Sequence, residues 1–141
     1  MKTKKNKSKY EYVEEEPKYY HNSKFNLKID KSNIEIAGSG VFTNDLIPPN
    51  TFIDYYKGIK KYHSMCGNYF FAINKSIGID AQTYPRCYMA MINDVHNTNF
   101  STNCEFIINE ENKTIEIWST DIIEEDDELF ISYGDDYWNN K

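Results

Sequence analysis

The residues of this chain best suited to chemistry are phenols placed at the ends of apolar runs. Leu129-Phe130-Ile131-Ser132-Tyr133-Gly134-Asp135-Asp136-Tyr137-Trp138 is a short β-branched run that stops at a Tyr-Gly pair and continues into two acids and two aromatics. Upstream, Phe52-Ile53-Asp54-Tyr55-Tyr56-Lys57-Gly58 ends in tyrosines followed closely by glycine. A tyrosine excludes water from a channel and still offers a hydroxyl, which suits the handling of a polar group in an apolar setting. Gly38-Ser39-Gly40 stands before Val41-Phe42, and glycine allows a backbone to approach a bound molecule closely. Asn93-Asp94 adds an amide and a carboxylate as donors and acceptors.

Taken in order, these segments resemble the SET-domain protein lysine methyltransferases. Ala37-Gly38-Ser39-Gly40-Val41-Phe42 is similar to the opening G-x-G loop, Phe52 to Gly58 to the strand ending in Y-x-G, and Gly78-Ile79-Asp80-Ala81 to the strand ending in I-D-A. Met91-Ile92-Asn93-Asp94 with Asn103-Cys104-Glu105-Phe106 resembles the asparagine-bearing elements of the knotted core, and the Tyr133-Gly134 run resembles the closing motif. The resemblance covers Phe25 to Trp138, and its nearest character is that of the minimal SET enzymes of large DNA viruses.

The resemblance implies S-adenosylmethionine as cofactor and assigns roles by position. Tyr133 becomes the central active-site phenol, and Tyr56 lines the lysine channel, with Tyr55 as a competing register. Gly38, Ser39, Gly40 and Asn93 are expected at the cofactor. Asp94 stands where the family usually has histidine; it removes two donors and is expected to meet the cofactor's positive amine. Trp138 is expected against the adenine or over the channel, the alternative being a clamp on the chain end. Ile131, two residues before the central tyrosine, is expected in the substrate channel, where an apolar residue leaves room for di- and trimethyl products, the alternative being an ordinary strand residue facing the core. Asn103 is preferred to Asn99 as the knot asparagine, and His96 is read as a loop histidine. A free lysine amine has a pKa near 10.4, so presenting it neutral at about pH 8 costs roughly 3 kcal/mol, which a desolvated aromatic channel helps to offset.

The elements that must position these residues are mostly strands. Phe25/Leu27/Ile29 and Ile34/Ile36 alternate with polar residues, and Phe52 to Tyr56, Tyr69 to Ile73 and Ile77 to Ile79 follow the same period. Cys104 to Ile108 and Thr114 to Trp118 flank Asn109-Glu110-Glu111-Asn112-Lys113, predicting an antiparallel hairpin with a loop of about five residues. Pro85 is expected to open a short helix through Met91 that delivers Asn93 and Asp94 at its end. Glu124-Glu125-Asp126-Asp127-Glu128 sits at the family's Gly-Glu-Glu turn, with Asp126 in the glycine's place. It is read as a solvated turn, or alternatively as an attractor of basic peptides.

Composition narrows the classes. At 141 residues and 40% apolar content the chain fits one domain, taken as 25–141, behind a polar tail over 1–24 that is disordered or loosely docked. The net charge of −6 argues against a phosphate-binding surface, so no direct nucleic-acid binding is expected, and it suits a basic partner such as a histone tail. No apolar stretch approaches the roughly 20 residues of a membrane span, so an intracellular protein is expected, with a host nucleus fitting a viral origin. Three widely spaced cysteines support neither a disulfide framework nor a zinc site, so no metal is expected.

The expectation is therefore a mainly β SET fold, small sheets around a knot-like C-terminal segment, acting as a protein lysine methyltransferase on a basic peptide. The rival is a catalytically weak SET-fold module that binds basic peptides. A third reading is an all-β interaction protein. The oligomeric state stays open, a homodimer included.

Overall fold

In a computed structural model the described residues are 18–62, 67–134 and 137. Short strands dominate: β1 (Tyr19–Tyr20), β2 (Leu27–Lys31), β3 (Ser39–Thr43), β4 (Phe52–Tyr55), β5 (Ile59–Tyr62), β6 (Phe70–Ala72), β7 (Ile77–Asp80), β8 (Arg86–Cys87), β9 (Asn93–Asp94), β10 (Cys104–Asn109), β11 (Thr114–Ser119) and β12 (Phe130–Ile131). They form five small sheets: β2-β3, β10-β11-β4, β5-β7-β6, and the parallel pairs β1-β8 and β12-β9. The mainly β architecture expected of a SET fold is what the chain adopts.

Alternation explains the longer strands. In β11, Ile115, Ile117 and Ser119 point inward and are fully buried, while Thr114, Glu116 and Trp118 are less so. The loop joining β10 to β11 is one residue shorter than expected, because Asn109 still pairs with Thr114 and its Oδ1 accepts from the Asn112 N–H. Val41, Ile53, Ile115, Ile117 and Leu129 bring β3, β4, β11 and the C-terminal segment into one core.

Two local expectations are corrected and one strand is added. Ile34 and Ile36 do not continue a strand: Glu35–Ala37 form a 3-10 turn that leaves Ile36 96% exposed. The turn arises because the Ser32 N–H donates to the Gly38 carbonyl at 2.8 Å, folding the chain back from β2 into β3. Arg86 and Cys87 are not helical but pair in parallel with Tyr19 and Tyr20, and only Tyr88–Met91 form a 3-10 turn. A partner distant in sequence thus overrides the local helix signal. Ile59–Tyr62, for which the sequence suggested nothing, is an edge strand on β7. Of the polar N-terminal stretch, residues 18–24 are described. Tyr19 and Tyr20 pair with β8, and the Asn22 N–H donates to Asp54.

The C-terminal segment organises the domain. Asp126 N–H donates to the Thr43 carbonyl, Thr43 N–H to that of Asp127, and Leu129 N–H to that of Val41, so residues 126–129 run along β3. β12 then lies parallel to β9, with Phe130 opposite Asn93 and Ile131 opposite Asp94. Asn103 holds the other side: its Oδ1 accepts from Phe130 N–H at 2.8 Å, its Nδ2 donates to the Glu128 carbonyl at 3.0 Å, and its backbone N–H donates to the Phe130 carbonyl. Asn103 therefore makes the threading contacts, whereas Asn99 lies exposed in the preceding loop.

Candidate active site

Four tyrosines, of which Tyr56 and Tyr133 carry the sequence-predicted roles, face a cavity of about 390 Å³ lined by Tyr56, Asn68, Tyr69, Phe71, Met89, Ala90, Tyr133 and Tyr137. Tyr56 leaves the end of β4 turned inward at 2% exposure while Tyr55 points to solvent, which settles which of the two tyrosines belongs to the cavity. Phe71, in the middle of β6, is its aromatic hub: its ring lies 5.3 Å from Tyr56, 5.3 Å from Tyr133, 5.7 Å from Tyr137 and 4.7 Å from Phe106. Tyr133 and Tyr137 meet edge to face at 4.8 Å. The quadrupoles of such offset and edge contacts favour this interlocked arrangement.

Both phenolic protons are engaged. Tyr133 Oη donates to the Ile92 carbonyl at 2.6 Å, and Tyr56 Oη donates to the Tyr69 carbonyl at 2.5 Å. A carbonyl can only accept, so each phenol must be the donor, and what each oxygen can still offer is lone pairs. Burial pushes both phenols well above the usual tyrosine value; for Tyr133, the neighbouring Tyr137 and Asp94 add to that rise. They are neutral acceptors at any ordinary pH.

Residues 92–94 join this cavity to the glycine strand. Ile92 receives the Tyr133 hydroxyl. Asp94 Oδ2 accepts from the Tyr133 backbone N–H at 2.6 Å and Oδ1 from the His96 N–H at 2.6 Å. Between them, Asn93 Nδ2 donates to the Ser39 carbonyl at 2.9 Å and reaches Glu128 Oε2 at 3.5 Å. Glu128 is 3% exposed, and its carboxylate also accepts from Ser32 Oγ at 2.6 Å and the Asn33 N–H at 2.7 Å. Gly40 makes room for it: a Cβ there would overlap Glu128 Oε2 and come within 3.2 Å of Asn93 Nδ2. Gly38 adopts φ 75, the left-handed region, with no atom within 4 Å of where a Cβ would lie.

A profile of the SET domain matches residues 38–134. The chain belongs to the SET-domain family. Similar folds occur in solved structures of the Chaetomium thermophilum polycomb repressive complex 2, ctPRC2. One, in an autoinhibited conformation bound to S-adenosylmethionine, aligns with TM-score 0.63 and 21% identity over 79% of this chain and 15% of that one. Another, in complex with H3K27me3 and H3K27M, aligns with TM-score 0.65 and 22% identity over 77% of this chain and 14% of that one. A humanized mutant bound to the inhibitor GSK126 gives TM-score 0.63 and 23% identity over 77% and 15%. At these identities the likeness is one of fold, and this SET domain spans about a seventh of the matched chains' length. No curated protein is significantly similar in sequence.

The cofactor of SET-domain methyltransferases is S-adenosylmethionine, and this SET domain offers a place whose chemistry fits it. The turn at Gly38 opens onto free space, and the Asn93 amide oxygen accepts no hydrogen bond from the described residues. Behind that amide stands a buried carboxylate, so the local potential suits a ligand carrying an ammonium and a sulfonium.

Several expected site residues fall elsewhere. Asp94, expected to face the cofactor's amine, has its carboxylate on the backbone of Tyr133 and His96, because the parallel β12-β9 pairing carries Tyr133 past it. Ile131, expected in the substrate channel, is 1% exposed within the core and does not line the cavity. β12 ends at Ile131, opposite Asp94 of β9, so Tyr133 leaves the strand and reaches the cavity while Ile131 stays packed in the core. Trp138 lies outside the described residues. Glu128 was not among the expected site residues, since the acidic run reads as solvated; 124–127 are indeed exposed, and only Glu128 turns in. Asp126 takes φ 70, the conformation for which the family's glycine is suited. Phe71 and Tyr69 carry a faint signal, being alternate aromatics on one face of a strand.

Proposed function

We propose that this SET domain transfers a methyl group from S-adenosylmethionine to the ε-amine of lysine in a basic peptide, with histone tails as the substrate class. The observation that carries the reading is the aromatic cavity with two neutral phenols whose protons are already spent on carbonyls. Kinship with the minimal SET enzymes of large DNA viruses is part of this reading, supported by the Tyr-Gly-Asp-Asp-Tyr-Trp ending.

When bound, S-adenosylmethionine supplies an electrophilic methyl group; Gly38, Ser39, Gly40 and Asn93 would hold it. The aromatic walls exclude water and so favour the neutral amine over the ammonium. Tyr133 and Tyr56 each present an oxygen lone pair and no spare proton. They accept N–H hydrogens and orient the amine's own lone pair away from themselves, along one line of attack. Because both phenols stay protonated, neither takes up the amine's proton, which leaves to solvent. Asp94 acts on the phenol indirectly, fixing the Tyr133 backbone while Ile92 fixes its hydroxyl. On this account the departure from the family's histidine leaves the phenol well placed, which weighs against the reading of a catalytically weak module.

The test is incubation of the protein with methyl-labelled cofactor and core histones, followed by mass spectrometry of the labelled peptides. Label on a lysine is the expected result. A folded, cofactor-binding protein that labels neither histones nor other basic peptides would return the binding module as the better reading.

A further inference from the structure

Glu128 is a buried carboxylate whose partners are all neutral: the Ser32 hydroxyl, the Asn33 backbone N–H and the Asn93 amide. Among the described residues no cation pairs with it. Burying an unpaired charge is expensive, and three hydrogen bonds offset only part of that cost. The arrangement nevertheless does one specific thing. Asn93 has two oxygens before it, the Ser39 carbonyl and Glu128 Oε2, at 2.9 and 3.5 Å. An amide can face two oxygens only with its NH₂ end. The opposite flip would set oxygen against oxygen twice. Its Oδ1 is therefore forced outward, and it accepts nothing from the described residues.

We propose that Glu128 is a positioning residue for cofactor binding: it locks the Asn93 amide so that Oδ1 faces the cofactor's ammonium group, and its charge polarises that amide through the Nδ2 hydrogen bond. This rests on the methyltransferase reading above and adds to it the residue that sets Asn93's orientation. A hydrogen bond to an ionised acceptor polarises the donor group, making its far oxygen a better acceptor for a cation. The missing countercharge of Glu128 is then supplied from outside, by the ligand. Gly40 belongs to the same device, since any side chain there would push the carboxylate out of place.

Calorimetric binding of S-adenosylmethionine and of 5′-methylthioadenosine, which lacks the amino-acid group, to wild type and Glu128→Gln decides the matter. The glutamine turns an NH₂ toward the Asn93 NH₂ and removes the charge. The dissociation constant for S-adenosylmethionine is expected to rise about tenfold, that for methylthioadenosine to change less than about twofold, and Glu128→Gln to add nothing once Asn93→Ala is present. Equal weakening of both ligands would make Glu128 a mere fold element and overturn the proposal, as would no weakening of either. A wild type that binds methylthioadenosine and not S-adenosylmethionine also overturns it, whereas a wild type that binds neither brings down the methyltransferase reading itself. Should Glu128→Gln fail to fold, Ser32→Ala removes one hydrogen bond to the same carboxylate; the same ligand-selective loss is expected at about threefold.

Discussion

The aromatic cavity and the Glu128 cluster meet at residues 92–94, yet they bury polar groups by opposite means. In the cavity Tyr56 and Tyr133 are kept neutral by burial, each with its proton on a backbone carbonyl. In the cluster the polar group is ionisable, and it is surrounded by donors from two separate segments, residues 32–33 and 93, in the space that Gly40 leaves for it. The first arrangement minimises field and water; the second keeps a field and directs it through one amide. The difference matches the two needs of the proposed reaction, a lysine that must shed charge and a cofactor that keeps it.

Substitutions on the two sides should therefore separate. Tyr133→Phe is expected to have the largest effect, on the order of a hundredfold loss in turnover, because one preorganised group at the reacting centre disappears while the ring stays. Cofactor affinity measured by calorimetry should stay within about threefold, since the Glu128 cluster is untouched. Turnover within twofold of wild type would show that Tyr133 only packs.

Asp94→Ala comes next. It frees the Tyr133 and His96 N–H groups and should lower turnover about tenfold with cofactor affinity preserved. Selective loss of cofactor affinity instead would mean that Asp94 belongs to the cluster's side of the divide.

A third test uses pH. Tyr56 and Tyr133 have raised values in the fold, so their contribution to stability is complete below the ordinary phenol value of about 10 and is lost as pH rises beyond it. Denaturant melts should show a midpoint that falls above about pH 10, and Tyr56→Phe should fall less steeply than wild type. Parallel curves would place the alkaline transition in other groups.

The smallest effect concerns Asp126, held at φ 70 in the exposed turn before Glu128. Asp126→Gly relieves the left-handed conformation and should raise stability by about 0.5 kcal/mol, less than the usual gain because aspartate tolerates this region. A loss of stability would indicate that the carboxylate caps the turn.

Legibility in the sequence divides along similar lines. Strands whose partners are local, such as β10 and β11, announce themselves by alternation, and the order of motifs points to the SET fold that the family profile supports. Gly38, Ser39, Gly40 and Asn93 do come together, as do Tyr56 and Tyr133. What stays hidden is set by distant partners. Arg86 and Cys87 look helical until Tyr19 and Tyr20 pair with them. Glu128 looks solvated with its four acidic neighbours until the C-terminal segment lies along β3 and turns that one side chain inward. Ile131 looks like a channel residue by position, yet its strand faces the core. Phe71, whose ring touches four other aromatics, has no signature beyond strand alternation.

The threading of residues 126–133 has a consequence for how the protein comes into being. A nascent polypeptide released from the ribosome before residue 126 already carries β2, β3, β4, β10 and β11, and with them much of the apolar interior. It has neither the Tyr133 phenol nor the Glu128 carboxylate, and Asn103 has nothing to clasp. On the proposed reading, reactivity and recognition both wait for residues 126–133, so polypeptides that stop short of them are silent competitors at most and never stray modifiers.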